Sequence, residues 1–197
     1  MKIRHHILWF LAILFAFPMF GQVNYYVATN GSNANTGTSI SSPWLTVQYA
    51  LDNAPPGATI RLRGGIYQEK INWTNSGTLA QATVLTNYMD ETPILSGSGN
   101  TAQSAIVHIE NKSYLQIKNL VIEDNYMPGA KGIYIVGEGQ GIVVENCIVR
   151  NIGFTSDPNT DPTPVDGQAH GILVNGRTAT GYQDIAIQYN ELHHLIC

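Results

Sequence analysis

The residues best suited to chemistry gather around Gly153 to Gln168, reading GFTSDPNTDPTPVDGQ. Asp157, Asn159 and Asp161 take alternate positions there, and Asp166 follows. Alternating carboxylates and amides supply the oxygen donors that calcium prefers, so calcium is the cofactor this spacing points to. The stretch departs from an EF-hand loop, with Pro162 in place of the required glycine and Gln168 in place of the closing glutamate. The alternative is a series of solvated Asp-Pro turns. His170 opens HGILVNG directly afterwards, Arg177 closes it, and Arg150 lies just before the loop. Lys131 precedes GIYIVG one repeat earlier, at the position matching Ser104, which stacks it beneath His170. Lys131, His170 and Arg177 are the candidate catalytic groups of one groove, with Arg150 and Asp166 as candidate substrate-binding groups. The structural alternative puts His170 at a corner of the chain path and Arg177 in solvent.

Other candidates carry less. His193 and His194 are neighbours, and neighbours on a strand point to opposite faces, so they read as a surface pair rather than joint metal ligands. GEGQG at Gly137 to Gly141 opens no helix and is no dinucleotide fingerprint. Cys147 reads as a buried apolar residue. Trp44, Trp73 and the tyrosines are able to stack on sugar rings, though each also has a structural reading.

What must position these groups is a repeat. IKNLVIEDN from Ile117 and VENCIVRNI from Val144 share one pattern at an offset of 27 residues. Extended backward, the offset lays Ile106 on Ile133, His108 on Ile135, Leu115 on Ile142, Leu120 on Cys147 and Ile122 on Val149, with His108 the one polar mismatch. Units read as starting at Ala58, Ala82, Ala105, Gly132 and Gly171, in steps of 24, 23, 27 and 39. Each holds short runs of period two broken by Gly, Asn or Asp, which predicts strands with one face buried. Such a period predicts a solenoid of stacked parallel strands, each coil burying its apolar face on its neighbours. Asn119 and Asn146 fall in register at a turn, where Asn tolerates the left-handed conformation. Ahead of the coils, Val47, Ala50, Leu51 and Ala54 form one helical face, Thr46 is the cap, and Pro55-Pro56-Gly57 stops the helix. That helix is expected to cover the open end of the stack.

The first segment, MKIRHHILWFLAILFAFPMFGQ, opens with Lys2 and Arg4 and runs apolar for 14 residues from Ile7 to Phe20. A membrane-spanning helix needs about 20. The expectation is a signal peptide cleaved after Gly21, the alternative an uncleaved anchor. Without Lys2 and Arg4, 8 basic residues face 14 acidic ones, a net charge of −6. An acidic chain without a basic cluster argues against nucleic acid. The two cysteines give no disulfide framework. The chain stops at ELHHLIC within what reads as a coil, so a C-terminally truncated reading frame is expected.

The most specific stretch is YYVATNGSNANTGTSISSPWLTVQYALDNAPPGATIRLRGGIYQE. Its strand, Asn-Gly-Ser…Pro-Trp loop, TVQYAL helix, Pro-Gly-x-Thr-Ile and Gly-Gly-x-Tyr turn together resemble the secreted right-handed parallel β-helix proteins of the pectate-lyase-like superfamily, notably polysaccharide lyases of families six and nine. The resemblance implies an all-β fold: a right-handed parallel β-helix solenoid with a short N-terminal capping helix. Its parts would be a signal peptide at 1–21, a strand, loop and capping helix at 22–57, and coils at 58–197. It also implies a monomer, secreted, periplasmic or at the cell surface, with an acidic polysaccharide as partner and no membrane once the signal is removed. The implied reaction is β-elimination from a uronic acid: calcium or a cation neutralises the sugar carboxylate, and a Lys or Arg takes the neighbouring proton. Two alternatives remain on the same fold. One is a non-catalytic carbohydrate-binding or adhesion module. The other is a glycoside hydrolase, which needs two carboxylates about 5–10 Å apart.

Overall fold

The structure is a computed structural model that describes residues 21–157, 168–177 and 179–196. The expected signal peptide lies outside these residues except for its last position, Gly21.

Alternating apolar residues make short strands, and the strands stack into three parallel sheets. The first sheet is β1 (Asn24–Val27), β2 (Thr59–Leu62), β5 (Thr83–Asn87), β8 (Leu115–Lys118), β11 (Gly139–Glu145) and β14 (Tyr182–Gln188). The second is β3 (Gly65–Tyr67), β6 (Pro93–Ser96), β9 (Val121–Tyr126), β12 (Ile148–Gly153) and β15 (Glu191–Ile196). The third is β4 (Ile71–Asn72), β7 (Ala105–Glu110), β10 (Lys131–Gly137) and β13 (His170–Gly176). From β2 onward the chain visits the three sheets in turn, so each circuit is one coil of a right-handed β-helix. The inward positions form columns: Ile60, Leu85, Ile117 and Val144 in the first sheet, Leu95, Ile122 and Val149 in the second, Ile71, Val107 and Ile133 in the third. All are fully buried. Each such side chain stabilises the fold by about 1.5–3 kcal/mol.

The expected units at Ala58, Ala82, Ala105, Gly132 and Gly171 each carry a parallel strand, but their phase differs from the sequence reading. The first two belong to the first sheet and the last three to the third. Thr83 pairs with Leu115, so that coil takes 32 residues, and the step from Ala82 to Ala105 crosses from one sheet to another. A second correction lies within the 27-residue overlay. It holds between β8 and β11 and between β9 and β12, but β7 and β10 pair at 26, Ala105 with Lys131 and His108 with Tyr134. A one-residue slip moves a side chain to the other face. The polar mismatch at His108 was the trace of that slip.

Helix α1 (Val47–Asn53) buries Val47, Ala50 and Leu51, and the Thr46 side chain accepts from Tyr49 N–H at 3.3 Å. Glu69 adds two hydrogen bonds, accepting from the N–H groups of Val47 and Gln48 at 3.0 Å each. Trp44 stacks on Tyr25 with centroids 4.8 Å apart. Trp44 and Trp73 are 5% and 4% exposed, so both belong to the packing. Asn119 and Asn146 have φ of 56° and 52°, the left-handed turn predicted for them. The Asn119 amide reaches back one coil to Asn87 Oδ1 at 3.1 Å. Tyr189 takes the same conformation in the next coil, and Asn190 beside it accepts from Cys147 N–H at 2.8 Å.

In the second sheet Asp124, Asn151 and His194 have φ of 60°, 56° and 53° and stack as a column of bulges. The bulge breaks period two, so Glu123 and Asp124, Arg150 and Asn151, and His193 and His194 each turn outward as pairs. The opposite-faces expectation for the two histidines fails for this reason: their Nδ1 atoms lie 3.1 Å apart. The pair does sit at the surface.

Candidate functional site on the outer face of the third sheet

Four strands give the third sheet an outer column of Asn72, His108, Tyr134 and Leu173. The His108 and Tyr134 rings stack 5.5 Å apart at 13°. His108 Nδ1 lies 3.1 Å from Asn72 Oδ1. With an amide oxygen as partner, Nδ1 carries the proton and Nε2 keeps its lone pair. Burial holds the His108 pKa below its ordinary value; Glu110 opposes this, and Arg177 and Lys131 reinforce it. The imidazole is therefore neutral at neutral pH, able to accept a proton at Nε2.

Two concavities meet on this face. One, of about 420 Å³, is lined by Asn72, Trp73, His108, Glu110 and Lys112 among others. The other, of about 220 Å³, is lined by Gln103, Ser104, His108, Glu110, Tyr134 and Arg177 among others. Together they make a cleft that crosses successive coils along the solenoid axis.

Lys131 and His170 are partners in register, as the sequence predicted, although the preceding residue in that column is Ala105 and not Ser104. Both begin their strands, at a corner. The Lys131 ammonium donates to Gly129 O at 2.6 Å and lies 5.2 Å from the Tyr134 ring centroid, which carries its charge onto the outer face. His170 is half-buried, and its Nδ1 has no hydrogen-bond partner among the described residues. Arg177 follows β13 at the other end, roughly 23 Å along the strand from His170, so the three do not form one constellation. It is exposed and pairs with Glu110 at 3.3 Å. Arg150 lies on the second sheet, away from Lys131. It is clasped to Glu123 Oε2 through Nε and Nη2, each at 2.6 Å. Asn159, Asp161 and Asp166 lie outside the described residues. Asp157 is exposed, and its N–H donates to Thr155 Oγ1 at 3.1 Å. Among the described residues no three His, Cys, Asp or Glu converge to hold a metal ion; a calcium site at Asp157 would need ligands from outside them.

The sequence reading missed His108, Tyr134, Asn72 and Glu110. The one available signal was the mismatch of His108 against Ile135.

A family described as "Pel9A-like, right handed beta helix region" matches residues 25–182. The chain is 33% identical over 140 residues to pectate lyase PEL9 of Emericella nidulans, covering 64% of this chain and 32% of that protein. It is 30% identical over 153 residues to the uncharacterised protein YwoF of Bacillus subtilis, covering 74% and 31%. This chain thus spans about a third of the length of the curated relatives it matches. Among solved structures, a GH136 lacto-N-biosidase from Eubacterium ramulus superposes with a TM-score of 0.63 at 18% identity, covering 87% of this chain and 34% of that one. Pectate lyase Pel9A superposes with a TM-score of 0.54 at 23% identity, covering 65% and 33%. At these identities the likeness is one of fold. The sequence match across most of the coils, on stacked parallel sheets closed by one short helix, makes this chain a member of the Pel9A-like right-handed β-helix family.

Proposed function

We propose that the outer face of the third sheet binds an acidic polysaccharide and acts on it by β-elimination. The observation that carries the reading is the neutral His108 in a cleft that also holds Arg177 and Lys112. Successive strands of the sheet are about 4.8 Å apart, close to the length of one pyranose, so a linear polymer fits along the solenoid axis. Arg177 faces the uronate carboxylate and offsets its charge, which makes the neighbouring C–H more acidic. His108 Nε2 takes that proton. The electron pair left behind becomes a carbon–carbon double bond as the bond to the glycosidic oxygen breaks, and that oxygen takes a proton from solvent. Relatedness to a pectate lyase supports the same substrate class. One carboxylate, Glu110, lines the two concavities, whereas a hydrolase needs a pair. The basic, apolar N-terminal segment supports action outside the cytoplasm.

The test is a panel of polygalacturonate, alginate and a neutral glucan, read by ultraviolet absorbance and by reducing ends. Elimination gives both signals on a uronate polymer and neither on the glucan. His108→Ala should lower the rate by about 10²–10⁴, the span of general acid–base catalysis. Reducing ends without absorbance would replace the lyase with a hydrolase, and binding without product would leave a carbohydrate-binding module.

A further inference from the structure

We propose that Glu110 is an internal stand-in for the ligand carboxylate, holding Arg177 until a polyuronate displaces it. This rests on the reading of the third sheet as a polyuronate site and adds how the site selects its ligand. Three observations carry it.

The first is position. Glu110 lines both concavities, at the point where the cleft crosses from one to the other. The second is charge. Glu110 is the acidic side chain in either lining, and the charged groups facing it are Lys112 and Arg177, with Lys131 over Tyr134 beyond them. Without Glu110 the cleft is a cationic strip on a chain whose formal net charge is −4. The third is the weakness of the contact. The Arg177 Nη1 to Glu110 Oε1 distance is 3.3 Å, with side chains 58% and 46% exposed. Exposed pairs of this kind hold loosely and exchange partners readily. The clasp between Arg150 and Glu123 differs, with two contacts of 2.6 Å and Glu123 almost buried.

An arginine held by a weak internal carboxylate favours ligands that supply a better one. A uronate in the cleft gains Arg177 and meets the repulsion of Glu110 until that side chain swings aside. A neutral sugar has nothing to exchange. Glu110 thereby makes the site selective for dense carboxylate polymers over sparse ones.

The experiment measures polygalacturonate binding to the whole chain by titration calorimetry at low salt. Glu110→Gln should bind roughly two- to fivefold more tightly, the range of an exposed ion pair. Glu145→Gln removes the same unit of charge from the first sheet, where Glu145 pairs with Lys118, and should bind as wild type. In an Arg177→Ala background the gain from Glu110→Gln should vanish. Equal tightening by both glutamine variants would overturn the proposal in favour of net charge alone. Weaker binding by Glu110→Gln would overturn it by making Glu110 a direct ligand of the polymer. No binding of any uronate polymer by the wild-type chain would overturn the site itself.

Discussion

Arg150 offers the sharpest contrast between a ligand role and a structural one. Glu123 is 9% exposed, and Arg150 supplies its two short contacts. Arg150→Ala leaves that carboxylate close to buried without its partner. Breaking a buried pair costs about 3–5 kcal/mol. The Arg150 side chain is 37% exposed, so water reaches one partner and reduces the cost. A loss of about 2 kcal/mol is the reasonable middle, near the strength of hydrogen bonds to charged groups. For a domain of this size each kcal/mol moves Tm by about 2–4 °C, so Arg150→Ala should melt about 4–8 °C lower in differential scanning calorimetry. Replacing both partners, Glu123→Met with Arg150→Met, should recover most of the loss, since it leaves no orphaned charge. Polygalacturonate binding should be unchanged in the double variant. A single variant that melts with the wild type yet no longer binds the polymer would refute the structural account and restore Arg150 as a ligand group.

Burial pushes the Cys147 thiol up to about 11, so it should resist alkylation at pH 8 in the native protein. Peptide mapping after iodoacetamide should find it modified only in denaturant, and native labelling would contradict the buried assignment. Glu69 has its pKa raised by burial, against the pull of the Gln48 and Val47 N–H groups. A raised folded value means this stability is complete below the ordinary value of 4.5 and is lost as pH rises through the folded value. Urea midpoints should therefore fall less over that interval in Glu69→Gln than in wild type; parallel curves would count against the burial. For calcium, millimolar addition should raise Tm by mass action, and Asp157→Ala should remove the rise; an unchanged wild-type Tm leaves Asp157 in a solvated turn.

The core was legible because burial on a β-helix imposes a period that survives in single residues. Ile117, Val144, Ile122 and Val149 lie where the repeat put them. The cap was legible for a similar local reason, with Thr46, Val47, Ala50 and Leu51 in the expected places. The site was less so, because facing depends on parity, and parity is lost with one residue. A step of 26 instead of 27 between β7 and β10 brought His108 beside Tyr134, and the sequence overlay hid both. The partition of Arg150 from Lys131 depends on which sheet each strand joins, and a phase error of one sheet leaves every local strand assignment intact.

The bulge column at Asp124, Asn151 and His194 has one further consequence. Where period two holds, a coil offers its surface one residue in every two, and the next is committed to the interior. On the second sheet each bulge turns two consecutive residues outward. That sheet therefore presents a double file of outward side chains, two adjacent codons per coil, set over the Ile122 and Val149 packing beneath. A coil duplicated in tandem would carry both files with it. New surface chemistry built from neighbouring residues is accessible there at the positions that no ion pair such as Arg150–Glu123 already holds.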